Sequence, residues 1–297
     1  MPFLVLHVLC NVAFGIVARY ARGDPLAYFR VGATNYTVAM VLAFAAARLA
    51  GGPRVEWPST LFALYQGVQY QLTYIVIFVL FAVGGLAVTF TILRLSVVIP
   101  IVGSILIWSE SPPATRLIGL IITVIALPLL GTDVRRAARR LDIRRPSLLM
   151  ILPMAMSGSG ALAAKAFAET RRAMVVTEYS FFVFLAAATL SLLTWPFVRR
   201  LAARGGLAQS MGSNPTLRSW RNSLLVGGLL GVANVIQNLA LIQALVSLPG
   251  SVVFPIVSSG YLMLITFADF VLWKRRFGRL TLAGVGMALV GLVLINV

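Results

Sequence analysis

The sequence is poor in charge, in cysteine and in histidine. Only 11% of its 297 residues are charged, and just 8 of them are acidic. The single cysteine, Cys10, excludes an intrachain disulfide and a cysteine-based metal site. The single histidine, His7, and the lack of clustered acids argue against metal or phosphoryl chemistry. No Walker motif is present, so direct driving by ATP is not expected. We therefore expect neither a cofactor nor an enzymatic activity.

Apolar residues take the place of the missing charge. Hydrophobic residues make up 60% of the chain and the mean hydropathy is +0.94, far from the composition of soluble domains. A helix needs about 20 apolar residues to cross a hydrocarbon core. The sequence therefore predicts an all-α polytopic membrane protein with ten transmembrane helices and no soluble domain. The ten segments are 3–19, 28–48, 59–82, 85–108, 114–132, 147–168, 174–197, 222–244, 251–273 and 280–296.

The net charge of +17 reflects arginines in the short loops between these segments. They do not follow one face with interleaved aromatics, so we expect no nucleic-acid partner. Because loops alternate sides, 18 Lys and Arg residues fall on one side and five on the other, with two inside spans. The positive-inside rule makes the rich side cytoplasmic. We predict a bacterial inner (plasma) membrane protein with both termini outside.

Two internal echoes indicate a duplication. SVVIPIVGS at 96–104 returns as SVVFPIVSS at 251–259, and the Trp108 to Gly119 spacing returns as Trp273 to Gly284. The two echoes differ in register, and the second aligns the span ends better. The basic linker 133–147 separates a first repeat, 1–132, from a second, 148–297. Because each repeat has an odd number of spans, the two copies cross the membrane in opposite orientations, as in many carriers.

The run AVGGLAVTFTILRLSVVIPIVGSILIWSESPPATRLIGLIITVIALPLL resembles the drug/metabolite transporter superfamily, in particular its ten-helix EamA-type permeases. The resemblance rests on a mid-helix proline, on Glu110 closing span four and on the glycine nine residues later. It implies two inverted five-helix repeats and a secondary carrier. Arg275 stands where these permeases commonly repeat the acid of Glu110, so no symmetric carboxylate is implied. Their termini usually face the cytoplasm, opposite to the charge count, which we follow.

Arg94 is the most deeply placed charge, ~14 Å into span four at 1.5 Å per residue. A central charge is costly, so Arg94 is a candidate for holding an anionic or carboxylate-bearing substrate. The alternative is that it bonds carbonyls freed near Pro100 or pairs with an acid on another helix. Asp269 is the candidate for proton coupling if it faces the cavity, and otherwise lies at the membrane interface.

Polar uncharged residues recur at helical spacing on several spans. Because a lipid-facing amide is costly, these faces are expected to point inward and to bind substrate, with interhelical hydrogen bonding as the alternative. The candidates are His7 and Asn11 on span one, Asn35 and Tyr36 on span two, Gln66 and Gln69 on span three, and Asn234, Gln237 and Asn238 on span eight.

Lys165 and Glu178 lie near the outer ends of spans six and seven, which a short loop joins. They are candidates for an outer gate pair, or for two side chains that extend separately to the interface. Pro100 and Pro255 are expected to interrupt spans four and nine.

Together these features predict a secondary transporter that moves a small metabolite through a midplane cavity by alternating access. A monomer in the lipid bilayer suffices for a pathway, and a proton or substrate gradient is the expected driving force. The alternatives are a flippase for a lipid-linked intermediate and a nontransporting membrane subunit.

Overall fold

The described part of the chain is helical apart from short connections. The computed structural model describes residues 2–20, 25–83, 93, 96–110, 113–115, 117–119, 121–122, 125–126, 129, 148–170, 174–203, 219–273 and 279–296. Within these ranges no residue belongs to a β-strand, which confirms the predicted all-α class.

Nine long helices lie within the described ranges, and each coincides with a predicted apolar segment. Described residues between 114 and 129, where a further span is predicted, are helical as well. The nine helices are α1 (Pro2–Tyr20), α2 (Pro25–Leu49), α3 (Ser59–Val83), α4 (Val98–Trp108), α5 (Leu148–Thr170), α6 (Val176–Ala203), α7 (Trp220–Ser247), α8 (Gly250–Trp273) and α9 (Arg279–Asn296).

Within the described ranges, four stretches of helix are long and apolar enough to cross a membrane: Leu26–Leu49, Ile151–Thr170, Val176–Arg200 and Trp220–Ser247. Shorter apolar stretches occur in α1, α4, α8 and α9. Large apolar side chains also cover the outer surface, Leu106 and Leu193 among them, while polar residues such as Asn35 are buried. This inside-out distribution, together with the four long apolar helices, indicates a membrane protein.

The helices pack into one bundle in which α2, α6 and α7 make the most extensive contacts with their neighbours. α2 packs against α6 and α7, and α3 packs against α5 and α6. α1 packs against α7 and α8, while α4 packs against α5 and α8. α9 packs against α8. The interior therefore combines helices from before and after the basic linker.

Glycines allow the closest helix approaches. A Cβ added to Gly67 on α3 would lie 2.1 Å from the carbonyl oxygen of Val183 on α6. A Cβ on Gly231 of α7 would lie 2.7 Å from the carbonyl oxygen of Asn35 on α2. Small residues let backbones meet in this way without a side chain between them. Both contacts bring polar residues of neighbouring helices into reach of one another.

Pro100 modifies the beginning of α4. The proline lies in the first turn of the helix rather than in its middle, where proline is tolerated because that N–H has no helical partner. The Ser96 carbonyl, which would otherwise accept from residue 100, accepts from the Ile99 N–H at 3.0 Å. The predicted interruption of span four therefore takes the form of a tightened turn before Val98. Most of the predicted segment ahead of it lies outside the described residues.

Pro249 ends α7 and starts α8. Leu248 precedes it and is extended, at φ −138° and ψ 148°, as residues before proline usually are. Gly250 then begins α8 directly. The two helices are thus joined by a very short connection, which places the buried Ser251 in the first turn of α8.

Candidate functional site

A cavity of about 210 Å³ lies at the middle of the bundle. On α5 and α7 its walls come from near the centre of each helix, so it lies at about half the height of the bundle. Its lining mixes amides and hydroxyls with aromatic and aliphatic side chains. The lining residues are His7, Asn11, Phe14, Tyr36, Gln66, Gln69, Tyr70, Thr73, Tyr74, Ile77, Leu93, Ser96, Val97, Pro100, Met156, Ser157, Gly160, Ala161, Asn234, Gln237, Leu241, Phe254, Val257 and Ser258.

His7 ties α1 to α7 at the cavity wall. Its Nδ1–H donates to the carbonyl oxygen of Gln237 at 2.6 Å, and its Nε2 accepts from Asn11 Nδ2 at 3.2 Å. These two bonds fit the neutral tautomer with the proton on Nδ1. The imidazole is therefore oriented by the backbone of α7 and by the residue one helical turn away.

A chain of amides runs from α7 to α2. Gln237 Nε2 donates to Asn234 Oδ1 at 2.7 Å, and Asn234 Nδ2 donates to Asn35 Oδ1 at 3.3 Å. Asn35 and Asn234 are buried, so this bond replaces part of the water that each amide loses, while Nδ2 of Asn35 has no hydrogen-bond partner among the described residues.

Tyr70, in the cavity lining, is the centre of a second network. Its hydroxyl donates to Asn238 Oδ1 at 2.9 Å and accepts from Gln66 Nε2 at 3.1 Å. Gln66 Oε1 in turn accepts from the Tyr179 hydroxyl at 2.7 Å, and Asn238 Nδ2 donates to Ser180 Oγ at 3.1 Å. α3, α6 and α7 are therefore joined by side chains at one level.

Gln69 presents an acceptor that these networks do not use. Its Nε2 donates to Tyr65 and to Ser159, whose hydroxyl donates onward to the Met156 carbonyl at 3.1 Å. Because the Ser159 hydroxyl already donates its hydrogen to Met156, it can only accept from Gln69. The group of Gln69 that faces Ser159 is therefore its NH₂, which fixes the orientation of the amide. Oε1 of Gln69 then has no hydrogen-bond partner among the described residues, and the same holds for Thr73 Oγ1. Both residues line the cavity, so a ligand with N–H or O–H groups can satisfy them.

Tyrosines form the wall toward α2. Tyr28 and Tyr74 stack with ring centroids 4.3 Å apart, and each hydroxyl donates to the other residue's carbonyl, at 3.1 Å and 2.8 Å. The Tyr36 hydroxyl donates to the Tyr70 carbonyl at 3.1 Å. These bonds hold the rings in place, so this wall is rigid and partly aromatic.

The cavity brings together most of the predicted polar residues. Asn35 and Asn238 lie just behind the wall, in the networks above. Arg94 lies outside the described residues, and so does the side chain of Asp269 on α8. Seven predicted residues are in the lining: His7, Asn11, Tyr36, Gln66, Gln69, Asn234 and Gln237.

Sequence reasoning missed the aromatic part of the site. Tyr70 and Tyr74 follow Gln66 by four and eight residues, so the helical spacing that singled out the glutamines also marks these tyrosines. Phe14 and Phe254 carry no comparable signal, because apolar residues are common on every face of a membrane helix.

A second polar cluster lies at one end of the bundle. Lys165 of α5 is 1% exposed and pairs with Glu110, at 2.9 Å, and with Glu169 one turn away. The other oxygen of Glu110 accepts from the backbone N–H of Ser251 at 3.2 Å. A carboxylate is favourable there, because Ser251 lies in the first turn of α8. The cluster therefore fastens the ends of α4, α5 and α8 together.

The predicted gate pair between Lys165 and Glu178 is wrong. Glu178 instead accepts backbone N–H groups of Arg54 and Val175, each at 3.1 Å. Glu178 lies at the start of α6, close to these two N–H donors. Lys165 instead pairs with Glu110, which follows α4, and with Glu169 of its own helix. Nearby, Glu56 accepts from the Met174 N–H at 2.8 Å. The carboxylates of Glu56, Glu110, Glu169 and Glu178 therefore all lie at the end of the bundle whose connections carry few arginines, which we call the arginine-poor end.

Metal ligands do not cluster in the part of the chain that the structure describes. No group of three or more His, Cys, Asp and Glu residues occurs there.

Comparison with known proteins identifies the fold but not a family. The chain matches no family profile and no curated protein. It is similar to a solved structure described only as the crystal structure of a protein, with a TM-score of 0.62. The two share 15% identity over 99% of this chain and 95% of the other. Nearly the whole chain therefore follows a fold that has been observed before.

Proposed function

We propose that the protein is a secondary transporter with ten membrane-spanning helices in two inverted repeats, of the drug/metabolite transporter type. A small metabolite would cross through the central cavity by alternating access. The observation that carries this proposal is the cavity itself. It lies at half height, it is lined from both halves of the chain, and a lining hydroxyl and amide oxygen lack partners within the described residues.

The packing pattern supports the inverted repeat. In the proposed symmetry α1, α2, α3 and α4 exchange with α5, α6, α7 and α8. This exchange converts the α3–α5 contact into α7–α1, the α3–α6 contact into α7–α2, and the α4–α5 contact into α8–α1. All six contacts occur. The glycine approaches of α3 to α6 and of α7 to α2 are exchanged by the same operation.

The polar residues of α3 and α7 support it further. Gln66, Gln69 and Tyr70 have the same spacing as Asn234, Gln237 and Asn238. Both triplets lie on exchanged helices, and Tyr70 bonds directly to Asn238. Related helices of the two halves would therefore meet at the centre through polar residues at the same spacing, as expected of a site at a repeat interface.

The polar clusters support a state closed at the arginine-poor end. Lys165, Glu110 and Ser251 join three helices there, while Glu178 and Glu56 hold the connection between α5 and α6. In the proposed cycle these contacts form the outer gate and break when the cavity opens outward. Arg94 remains the proposed anchor for an anionic group, and Asp269 the proposed proton-coupling carboxylate.

A ligand screen tests the function. Purified protein would be heated with amino acids, organic anions and nucleosides, since a ligand at 100 times its Kd stabilises by about 2.7 kcal/mol. We expect at least one class to raise the unfolding temperature, and Gln69→Leu to remove most of that shift. Gln243→Leu is the matched control, because Gln243 is a half-buried glutamine of α7 outside the lining. Equal shifts in both variants, or no shift with any class, would count against the cavity as the binding site.

The same screen on Arg94→Gln assigns the charge preference. Loss of the shift only for carboxylate-bearing ligands would support Arg94 as the anchor. An unchanged shift would remove Arg94 from the binding site while leaving the carrier proposal intact.

A further inference from the structure

Arg30, near the beginning of α2, is a buried cation outside the cavity lining. Arg30 is 8% exposed, and its guanidinium carbon lies 4.4 Å from the centroid of the Trp220 ring. Trp220 is the first residue of α7 and is 63% exposed. The guanidinium is therefore held between α2 and α7, with the indole as its cover on the outside of the bundle.

The guanidinium has more donors than partners. Nε and Nη1 of Arg30 are buried and have no hydrogen-bond partner among the described residues. The described carboxylates, including Glu110 and Glu178, belong to the clusters at the opposite end of the bundle. Stacking on an indole offsets part of the cost of burying a cation, but it satisfies no N–H group. An anion with several acceptor oxygens would supply what is missing.

We propose that Arg30 and Trp220 form a binding site for the phosphate group of an anionic phospholipid. Trp220 begins α7, whose N-terminal end favours negative charge, and the N-cap Ser219 makes no side-chain capping bond. Exposed arginines at the same end, Arg200 and Arg221, raise the local concentration of anionic headgroups. A tryptophan at the membrane–water boundary is the common companion of a headgroup. This site rests on the membrane location of the protein and is independent of transport.

Titration of purified full-length protein with phosphatidylglycerol in detergent tests the site, with phosphatidylcholine and inorganic phosphate as the other arms. We expect phosphatidylglycerol to raise the unfolding temperature more than phosphatidylcholine at equal mole fraction, and inorganic phosphate to have little effect. Arg30→Gln should weaken the apparent affinity for phosphatidylglycerol by about tenfold or more, the loss expected of a charge-assisted bidentate contact. Arg30→Lys keeps the charge without the planar fork and should give an intermediate loss.

Two measurements separate this site from general surface charge. Arg279→Gln removes the same charge from an exposed position at the start of α9, and it should change the affinity less than twofold. Without lipid, Arg30→Gln should be at least as stable as the parent protein, because it removes an unsatisfied buried cation. Equal losses in Arg30→Gln and Arg279→Gln would overturn the proposal, as would full stabilisation by inorganic phosphate. Destabilisation by Arg30→Gln in lipid-free detergent would also overturn it, because it would show that Arg30 has an internal partner.

Discussion

Glu110 joins three helices through one carboxylate. One oxygen contacts Lys165 of α5 and the other accepts the N–H at the start of α8. Burial by itself raises the pKa of Glu110, but the hydrogen bonds from Lys165 and Ser251 outweigh it and lower the pKa below its ordinary value of 4.5. A carboxyl with a depressed pKa stabilises the folded state at pH values above its unfolded pKa. That contribution is lost as the pH falls through the depressed value.

We predict that Glu110→Gln lowers the free energy of unfolding by about 1–3 kcal/mol at neutral pH, because buried Lys165 loses a charged partner while the amide oxygen still accepts from Ser251. Thermal unfolding in detergent measures the change. Glu169→Gln is the matched control: Glu169 contacts the same lysine but is 39% exposed, so its removal should cost less than about 1 kcal/mol.

The pH profile distinguishes the two substitutions. The parent protein should lose stability as the pH falls below 4.5, and Glu110→Gln should lose less over the same range. Superimposable acid profiles for the parent and Glu110→Gln would contradict the charged role of this residue.

Residue-level sequence reasoning predicted which polar side chains face inward but not which of them meet. His7, Gln66 and Asn234 share the helical spacing of an inward face, and lipid excludes them from the outside, so a local pattern suffices. The partner of Lys165 depends on how α4, α5 and α8 end relative to one another. The i, i+4 spacing marks Glu169 as a partner, but no local pattern marks Glu110, which is 55 positions away in the sequence and reaches Lys165 only through the packing of these helices.

Helix-to-helix distance is set at single glycines. The clearest case is Gly67, where α3 meets both the backbone and Ala186 of α6. We predict that Gly67→Ala destabilises the protein by about 1–3 kcal/mol, because the added methyl group would overlap the Val183 carbonyl and push the helices apart. Thermal or denaturant unfolding provides the measurement.

Gly228→Ala is the control for backbone effects. An added Cβ at Gly228 meets nothing within 4 Å, so the same substitution should stabilise α7 by about 0.5–1 kcal/mol through helix propensity. Destabilisation of similar size at both positions would show that close packing is not the cause.

At the scale of helices, hydrophobicity in the sequence predicted where the helices lie along the chain, but it did not predict where a helix departs from regular geometry. The predicted segments coincide with α1 to α9 because a long apolar run has no other stable form in lipid. The start of α4 was not predicted, since it depends on the Ser96 carbonyl finding a donor other than Pro100. The pairing of α2 with α6 and α7 is also invisible locally, because it depends on contacts between residues far apart in sequence.

At the scale of the whole molecule, the carboxylate bridges among the described residues lie at one end of the bundle, and the cavity lies deeper inside. The bridges from Glu110, Glu56 and Glu178 all cross between connections at the arginine-poor end. In the proposed carrier these bridges close that end, so a small reagent should reach the cavity from the arginine-rich side. In the proposed alternating-access cycle, a second conformation would reverse this accessibility.

We predict that, in a Cys10→Ser background, Ser157→Cys reacts with a small membrane-impermeant thiol reagent only from the arginine-rich side. Ser157 lines the cavity, where its hydroxyl accepts from Ser96 Oγ at 3.2 Å. Replacing its hydroxyl by a thiol changes the size of the side chain little. Ser247→Cys, exposed at the last turn of α7, should react only from the opposite side. Labelling in sealed vesicles of both orientations reads out the two rates.

Adding Glu110→Gln should weaken the closed end and let reagent reach Ser157→Cys from the arginine-poor side. Reaction of Ser157→Cys from both sides without Glu110→Gln would mean that the carboxylate bridges do not close the pathway, and no reaction from either side would mean that the cavity is sealed.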